Sequence, residues 1–167
     1  MSSTVSQPAR THVLTGPAAE AWAARLRAAN INPRTGLATD YLNHFNEAVM
    51  LLEMVPDMPE CAEDFLTWAP LSYAEHFTAS NFKARDLAIE AYKRADPAVR
   101  AQFDQITNSM TSILTAVGSA IREAEHEKTR IQLAEQATHW VKPMIAACGG
   151  IINGGAEADV ESIMAQD

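Results

Sequence analysis

From Asp96 onward the chain places Val99, Phe103, Ile106, Met110, Ile113, Val117 and Ile121 at steps of three and four. That spacing returns one apolar stripe to the same side of a helix and cannot alternate across a strand. Asp96-Pro97 supplies a carboxylate cap followed by proline at the first helical position, where its missing N–H costs nothing. A seam sustained over three heptads needs other helices to cover it, so the chain is predicted to be all-α, a helical bundle. One flank of this helix is small and hydroxylated, with Thr107, Ser109, Thr111, Ser112, Thr115, Gly118 and Ser119. Such a flank admits close approach of another helix or lines a small-molecule pocket, and the first use is the commoner one.

The second strong stretch is Ala38 to Val55, the most apolar helix-length run. Tyr41, Leu42, Phe45, Ala48, Val49, Leu52 and Val55 give it a wide apolar surface, as expected of a helix central in a bundle. Thr39 or a neighbour is the expected cap, and Glu53 must reach the rim or find a partner. Asp40, His44 and Glu47 form one line that continues into Leu51 and Met54, which predicts that the polar triplet faces something packed.

Around these two helices the punctuation predicts the others. Gly16-Pro17 opens a helix over 17–30 with Trp22, Leu26 and Ala29 on one stripe, ended by the Pro33 to Gly36 segment. Pro56 to Pro59 stops the 38–55 helix. Short helices follow at Glu60 to Trp68, from the Ser72/Glu75 capping-box spacing to Ala79, and at Phe82 to Ala95 after Ser80-Asn81. A continuous helix from Pro97 to Cys148 would be ~75 Å long, too long for a compact chain of this size, so a break is expected near Glu127 to Thr129. The last long helix then covers 130–148, kinked at Pro143 and capped by Gly149-Gly150. The expected layout is an N-terminal tail over 1–15, a helical domain over 16–150, and a C-terminal tail over 151–167 with a short helix at Ala156 to Met164. Four longer helices (17–30, 38–55, 97–124 and 130–148) carry the core, and two or three short ones cover one side.

The 167 residues fit one domain with a real core. A formal net charge of −8 and scattered Lys and Arg argue against nucleic acid or an anionic membrane as partner. Cys61 and Cys148 match no zinc or redox spacing and read as reduced thiols. No run is apolar enough to cross a membrane, and Met1 to Leu14 lacks a signal-peptide core, so a cytoplasmic location is expected.

Three functional readings follow. A nucleophile elbow, P-loop and dinucleotide fingerprint are all missing, which favours a non-enzymatic accessory or regulatory protein acting through a protein surface, with a homodimer expected. The aromatic-rich Pro56 to Asn81 segment is the expected contact region, and Trp22, Trp68, Tyr73, Phe77 and Trp140 would mark a partner surface if exposed together. The second reading is a His/carboxylate site for iron, zinc or manganese with Asp40, His44 and Glu47 as ligands. Glu75-His76, Glu123/His126 and Glu135/His139 are possible additions, because helical spacing aims two ligands at one point. The third is a ligand held on the Ser/Thr face of the Pro97 helix.

Overall fold

The computed structural model describes residues 15–154, and among them there are seven α-helices and one 3-10 turn, with no strand. Helix α1 spans Pro17–Ala28, and a 3-10 turn at Thr39–Tyr41 leads into α2, Leu42–Met54. Three short helices follow: α3 (Cys61–Thr67), α4 (Tyr73–Ala79) and α5 (Arg85–Arg94). Two long ones close the order, α6 (Pro97–Glu123) and α7 (Glu127–Ile152). The N-terminal tail up to residue 14 and the short helix expected at Ala156 to Met164 lie outside the described residues.

Helices α6 and α7, of 27 and 26 residues, are each about 40 Å long and form the frame. Val99, near the start of α6, and Ile151, near the end of α7, line the same small cavity, so the pair runs antiparallel. Helix α2 packs along α7 and also touches α3, while α3 reaches α6. One cluster of buried side chains joins these elements, including Phe45 and Leu52 of α2, Phe65 of α3, Phe77 of α4, Phe103 and Leu114 of α6 and Val141 of α7.

Two of the predicted N-terminal caps form as the chemistry requires. Asp96 Oδ1 accepts from the Ala98 N–H at 2.8 Å. Ser72 and Glu75 satisfy each other's free amides: the Glu75 N–H donates to Ser72 Oγ at 3.1 Å and the Ser72 N–H to Glu75 Oε1 at 2.9 Å.

Several boundaries differ from the sequence reading. The chain reverses at Ala124 to His126, three residues before the expected break, with Ala124 and His126 extended. The turn falls between Ile121 and Ile131, where the apolar stripes of the two helices end, so packing rather than a Gly or Pro sets it. Gly149-Gly150 does not cap α7; the helix continues to Ile152, past its expected end at 148. Cys148 and Ile152, one turn apart and both buried, extend the inner line and outweigh the ~1 kcal/mol helix penalty of each glycine. A Cβ at Gly149 would meet Leu42 Cδ1 at 3.9 Å, an ordinary contact, so the start of α2 packs against this turn of α7. Helix α5 starts at Arg85, not Phe82, and Ala38 rather than Thr39 precedes the 3-10 turn, without a side-chain cap.

The Asn30 to Ala38 link makes two backbone demands. Asn30 (φ 61°) and Gly36 (φ 73°) adopt left-handed angles. At Gly36 a Cβ would lie 2.8 Å from the Ala91 carbonyl oxygen, so α5 approaches the bare backbone there. Thr35 Oγ1 donates to the Ile152 carbonyl at 2.7 Å, tying this link to the end of α7.

The inner line of α6 is Phe103, Thr107, Met110, Leu114, Val117 and Ile121, all buried. Ile106 and Ile113, expected in the core, are half-buried beside it. Both lines exist because a 27-residue helix is covered on two sides. At Gly118 α3 comes close to α6, with Phe65 Cε1 at 3.8 Å from where a Cβ would stand.

Candidate functional site

The line through Asp40, His44 and Glu47 runs along the border of α2 instead of facing a packed interior throughout. The buried side of α2 is centred on Phe45, Ala48 and Leu52. His44 sits at its edge and is covered by the segment after α3. Glu47 lies a step further round and is exposed, as is Met54, while Leu51 is half-buried. Asp40 sits in the 3-10 turn before the helix.

The Nε2 of His44, one of its two ring nitrogens, is already engaged. Its Nε2 accepts from the Leu71 N–H at 3.0 Å, and its ring stacks on Trp68 with centroids 4.6 Å apart. Trp68 donates its indole N–H to the His44 carbonyl at 3.0 Å. Burial first, and the nearby His76 second, lower the His44 pKa from 6.5 to about 4, so the ring is neutral at pH 7. A lone pair that accepts a backbone N–H is not free for a metal.

Asp40 pairs with a residue from α4. His76 Nε2 lies 2.9 Å from Asp40 Oδ2, and Asn43 Nδ2 donates to Asp40 Oδ1 at 3.3 Å. Helix α4 carries His76 there because its first turn is capped and its buried residues, Tyr73 and Phe77, anchor the other side. Tyr73 takes the Ala38 N–H on its hydroxyl, and Tyr41 donates to the Leu71 carbonyl at 2.6 Å. Burial raises the pKa of both phenols, so both remain protonated hydrogen-bonding groups. Asp40 also borders a polar hollow of about 260 Å³ with Asn30, Thr39, Asn43 and Asn46.

Asp40, His44 and Glu47 are therefore not brought to one point, and no group of three or more His, Cys, Asp or Glu side chains among the described residues could hold a metal ion. Glu123 and His126, like Glu135 and His139, are exposed. On the hydroxyl-rich face of α6, Thr107, Ser109 and Thr111 each donate to a carbonyl of their own helix. Cys148 is enclosed and its thiol pushed up to about 12 by burial, and burial raises Cys61 as well. Neither is a ready nucleophile.

The expected aromatic contact surface is mostly internal. Tyr73 and Phe77 are buried, Trp68 is half-buried on His44, and Trp22 lies under the Arg94 guanidinium at 4.5 Å. Trp140 is the exception, 48% exposed.

The exposed apolar residues that sequence reasoning missed are methionines. Met50, Met54 and Met58 are 56%, 39% and 45% exposed. Asn43, Glu47, Met50 and Met54 occupy the side of α2 opposite its buried line. The Met58 N–H donates to the Met54 carbonyl at 2.8 Å, so the backbone makes one further turn beyond the helix and the row continues. Their spacing of four was visible in the sequence, but a stripe of methionines reads as core until the opposite side proves richer in packing residues. At one end of the row a groove of about 250 Å³ is lined by Val49, Met50, Ile145 and the Glu53–Lys142 ion pair at 2.9 Å. Glu53 thus finds its partner at the rim. Beyond Met58 a wider cleft of about 540 Å³ is lined by Pro59, Glu60, Glu63, Glu125, Glu127 and Arg130.

Compared with known protein families, curated proteins and solved structures, the chain shows no match to any of the three. Among the described residues, no helix is long and apolar enough to cross a membrane.

Proposed function

We propose that this chain is a non-enzymatic accessory or regulatory protein that acts by docking another protein on the outer face of α2. The observation that carries the reading is the row Met50, Met54 and Met58 exposed on the side of α2 that the fold does not need. Methionine side chains are apolar, unbranched and adaptable, which suits a contact surface more than a solvated one. A cytoplasmic setting fits this reading and the two free thiols.

Self-association is one form the docking can take. The heptad seam of α6 packs inside the chain, since Phe103, Met110, Val117 and Ile121 are all buried. A dimer would therefore use the methionine face or the half-exposed Trp140 side of α7.

The test compares tag-free wild type with Met50→Ser/Met54→Ser in two measurements, light scattering and capture from an extract of the source cells. Support is a dimer or a retained partner that the variant loses while keeping its helicity. A monomer in both cases with identical capture profiles would sink the reading.

A second reading rests on the Asp40–His76 pair beside its polar hollow. These two side chains could supply ligands for iron, zinc or manganese if a ligand molecule or a shift of Glu75 completed the set. Elemental analysis of wild type beside His76→Ala tests it: stoichiometric metal that disappears in the variant favours a metal centre there.

A further inference from the structure

We propose that the occupant of the methionine face is a basic amphipathic helix of a partner protein, with its cationic end seated in the cleft beyond Met58. This inference rests on the docking reading above and names the partner's chemistry.

The apolar part is a row about 12 Å long, two helical turns from Met50 to Met58. It is flanked on the groove side by Val49 and Ile145. A row of that length and width matches the apolar stripe of a second helix, whose i, i+3, i+4 and i+7 positions span the same distance.

The charge around the row selects the partner. Glu47, Glu53 and Asp57 stand beside it, all exposed. Glu60, Glu63, Glu125 and Glu127 line the cleft at its far end. Two cations beside these carboxylates are each paired already, Lys142 with Glu53 at 2.9 Å and Arg130 with Glu63 at 3.3 Å. Carboxylates therefore outnumber cations along the whole surface, and most heavily in the cleft. A second copy docked here through a two-fold contact would set acid against acid, on a chain that already carries −8. A helix with Lys and Arg beside its apolar stripe meets complementary charge instead. The unequal ends also fix its direction: the groove end offers aliphatic contact and one ion pair, and the cleft end offers four carboxylates.

The experiment is selection of random ~18-residue helical peptides, displayed from a library, on the tag-free full chain. Enriched peptides should carry Lys and Arg flanking an apolar i, i+3, i+4, i+7 stripe. Their affinity should fall at least ~10-fold on Met50→Ser/Met54→Ser/Met58→Ser. Replacing Glu60 and Glu125 by Gln, or raising salt from about 0.05 to 0.3 M, should also weaken them. Circular dichroism checks that each variant keeps its helices. Neutral or acidic winners, winners that bind the triple-serine variant equally well, or no enrichment at all would overturn the proposal. Light scattering on the same proteins separates the two levels. A dimeric wild type with a monomeric triple-serine variant makes a second copy the occupant, which overturns the basic helix and keeps the docking reading. No enrichment from proteins that are both monomeric removes both.

Discussion

The Nε2 of His44 accepts the Leu71 N–H at 3.0 Å while Trp68 donates its indole N–H to the His44 carbonyl. Both bonds run from donors in the segment joining α3 to α4 to acceptors on His44 of α2. They fix the imidazole as the tautomer with its proton on Nδ1 and fasten an irregular stretch to the central helix.

Protonating His44 would aim an N–H at an N–H, so acid should loosen this attachment. The group's pKa falls from 6.5 unfolded to about 4 folded, and between those values the unfolded chain binds more protons. Its contribution is complete above pH 6.5 and is lost as pH falls through 4, at most about 3 kcal/mol. Urea unfolding at pH 7.5 and pH 4.5 should show this loss in wild type. His44→Gln, which keeps an acceptor but does not titrate, should show a smaller pH slope. Equal slopes would mean that His44 does not carry the acid sensitivity.

Gly36→Ala should cost at least ~2 kcal/mol. It forces a left-handed angle on a residue with a Cβ and drives that Cβ to 2.8 Å from the Ala91 oxygen. Gly16→Ala is the control: Gly16 has φ 64° and nothing within 4 Å, so it should cost less. Chemical denaturation of both variants decides it, and equal costs would show that α5 does not press on the link.

Leu114→Ala and Leu52→Ala should each cost ~2–5 kcal/mol as truncations of fully enclosed side chains. Ile113→Ala, half-buried on the neighbouring line of the same helix, should cost clearly less. The order Leu114 above Ile113 in a thermal-melt series is the outcome that checks the rotation of α6.

Met50→Ser and Met54→Ser should change stability by no more than ~0.5 kcal/mol each, because these side chains cover solvent rather than core. A loss of several kcal/mol in denaturant titration would place them in an interior and remove the docking face.

Much of this architecture was legible in the residues. Asp96-Pro97 and the Ser72/Glu75 box are local chemistry, satisfied within one turn, and local chemistry survives tertiary packing. The wide apolar side of α2 likewise reads correctly, since Phe45, Ala48 and Leu52 demand cover. What failed depended on neighbours distant in sequence. Gly149-Gly150 is a stop signal until Ile152 buries beyond it. Ile113 and Leu114 are equally apolar, and only the placement of α7 and α3 decides which points inward. For the candidate site the limit is sharper: Asp40 and His44 belong to one stretch, but their partners, His76 and Leu71, arrive from a separate short helix and its approach. Helical spacing could put Asp40 and His44 near each other and could not say that each would be claimed by a different neighbour.

The enclosed thiols give the chain a built-in clock. Cys148 has no exposed surface and a thiol that burial holds almost fully protonated at neutral pH, while Cys61, the first residue of α3, is also buried. An alkylating reagent can reach the sulfur on α7 only when that helix lifts from its neighbours, so labelling there times the opening of the frame. Cys61 times the short-helix side. If docking clamps α2 against both, a bound partner should slow the two labelling rates unequally, and the slower one would mark the side it holds shut.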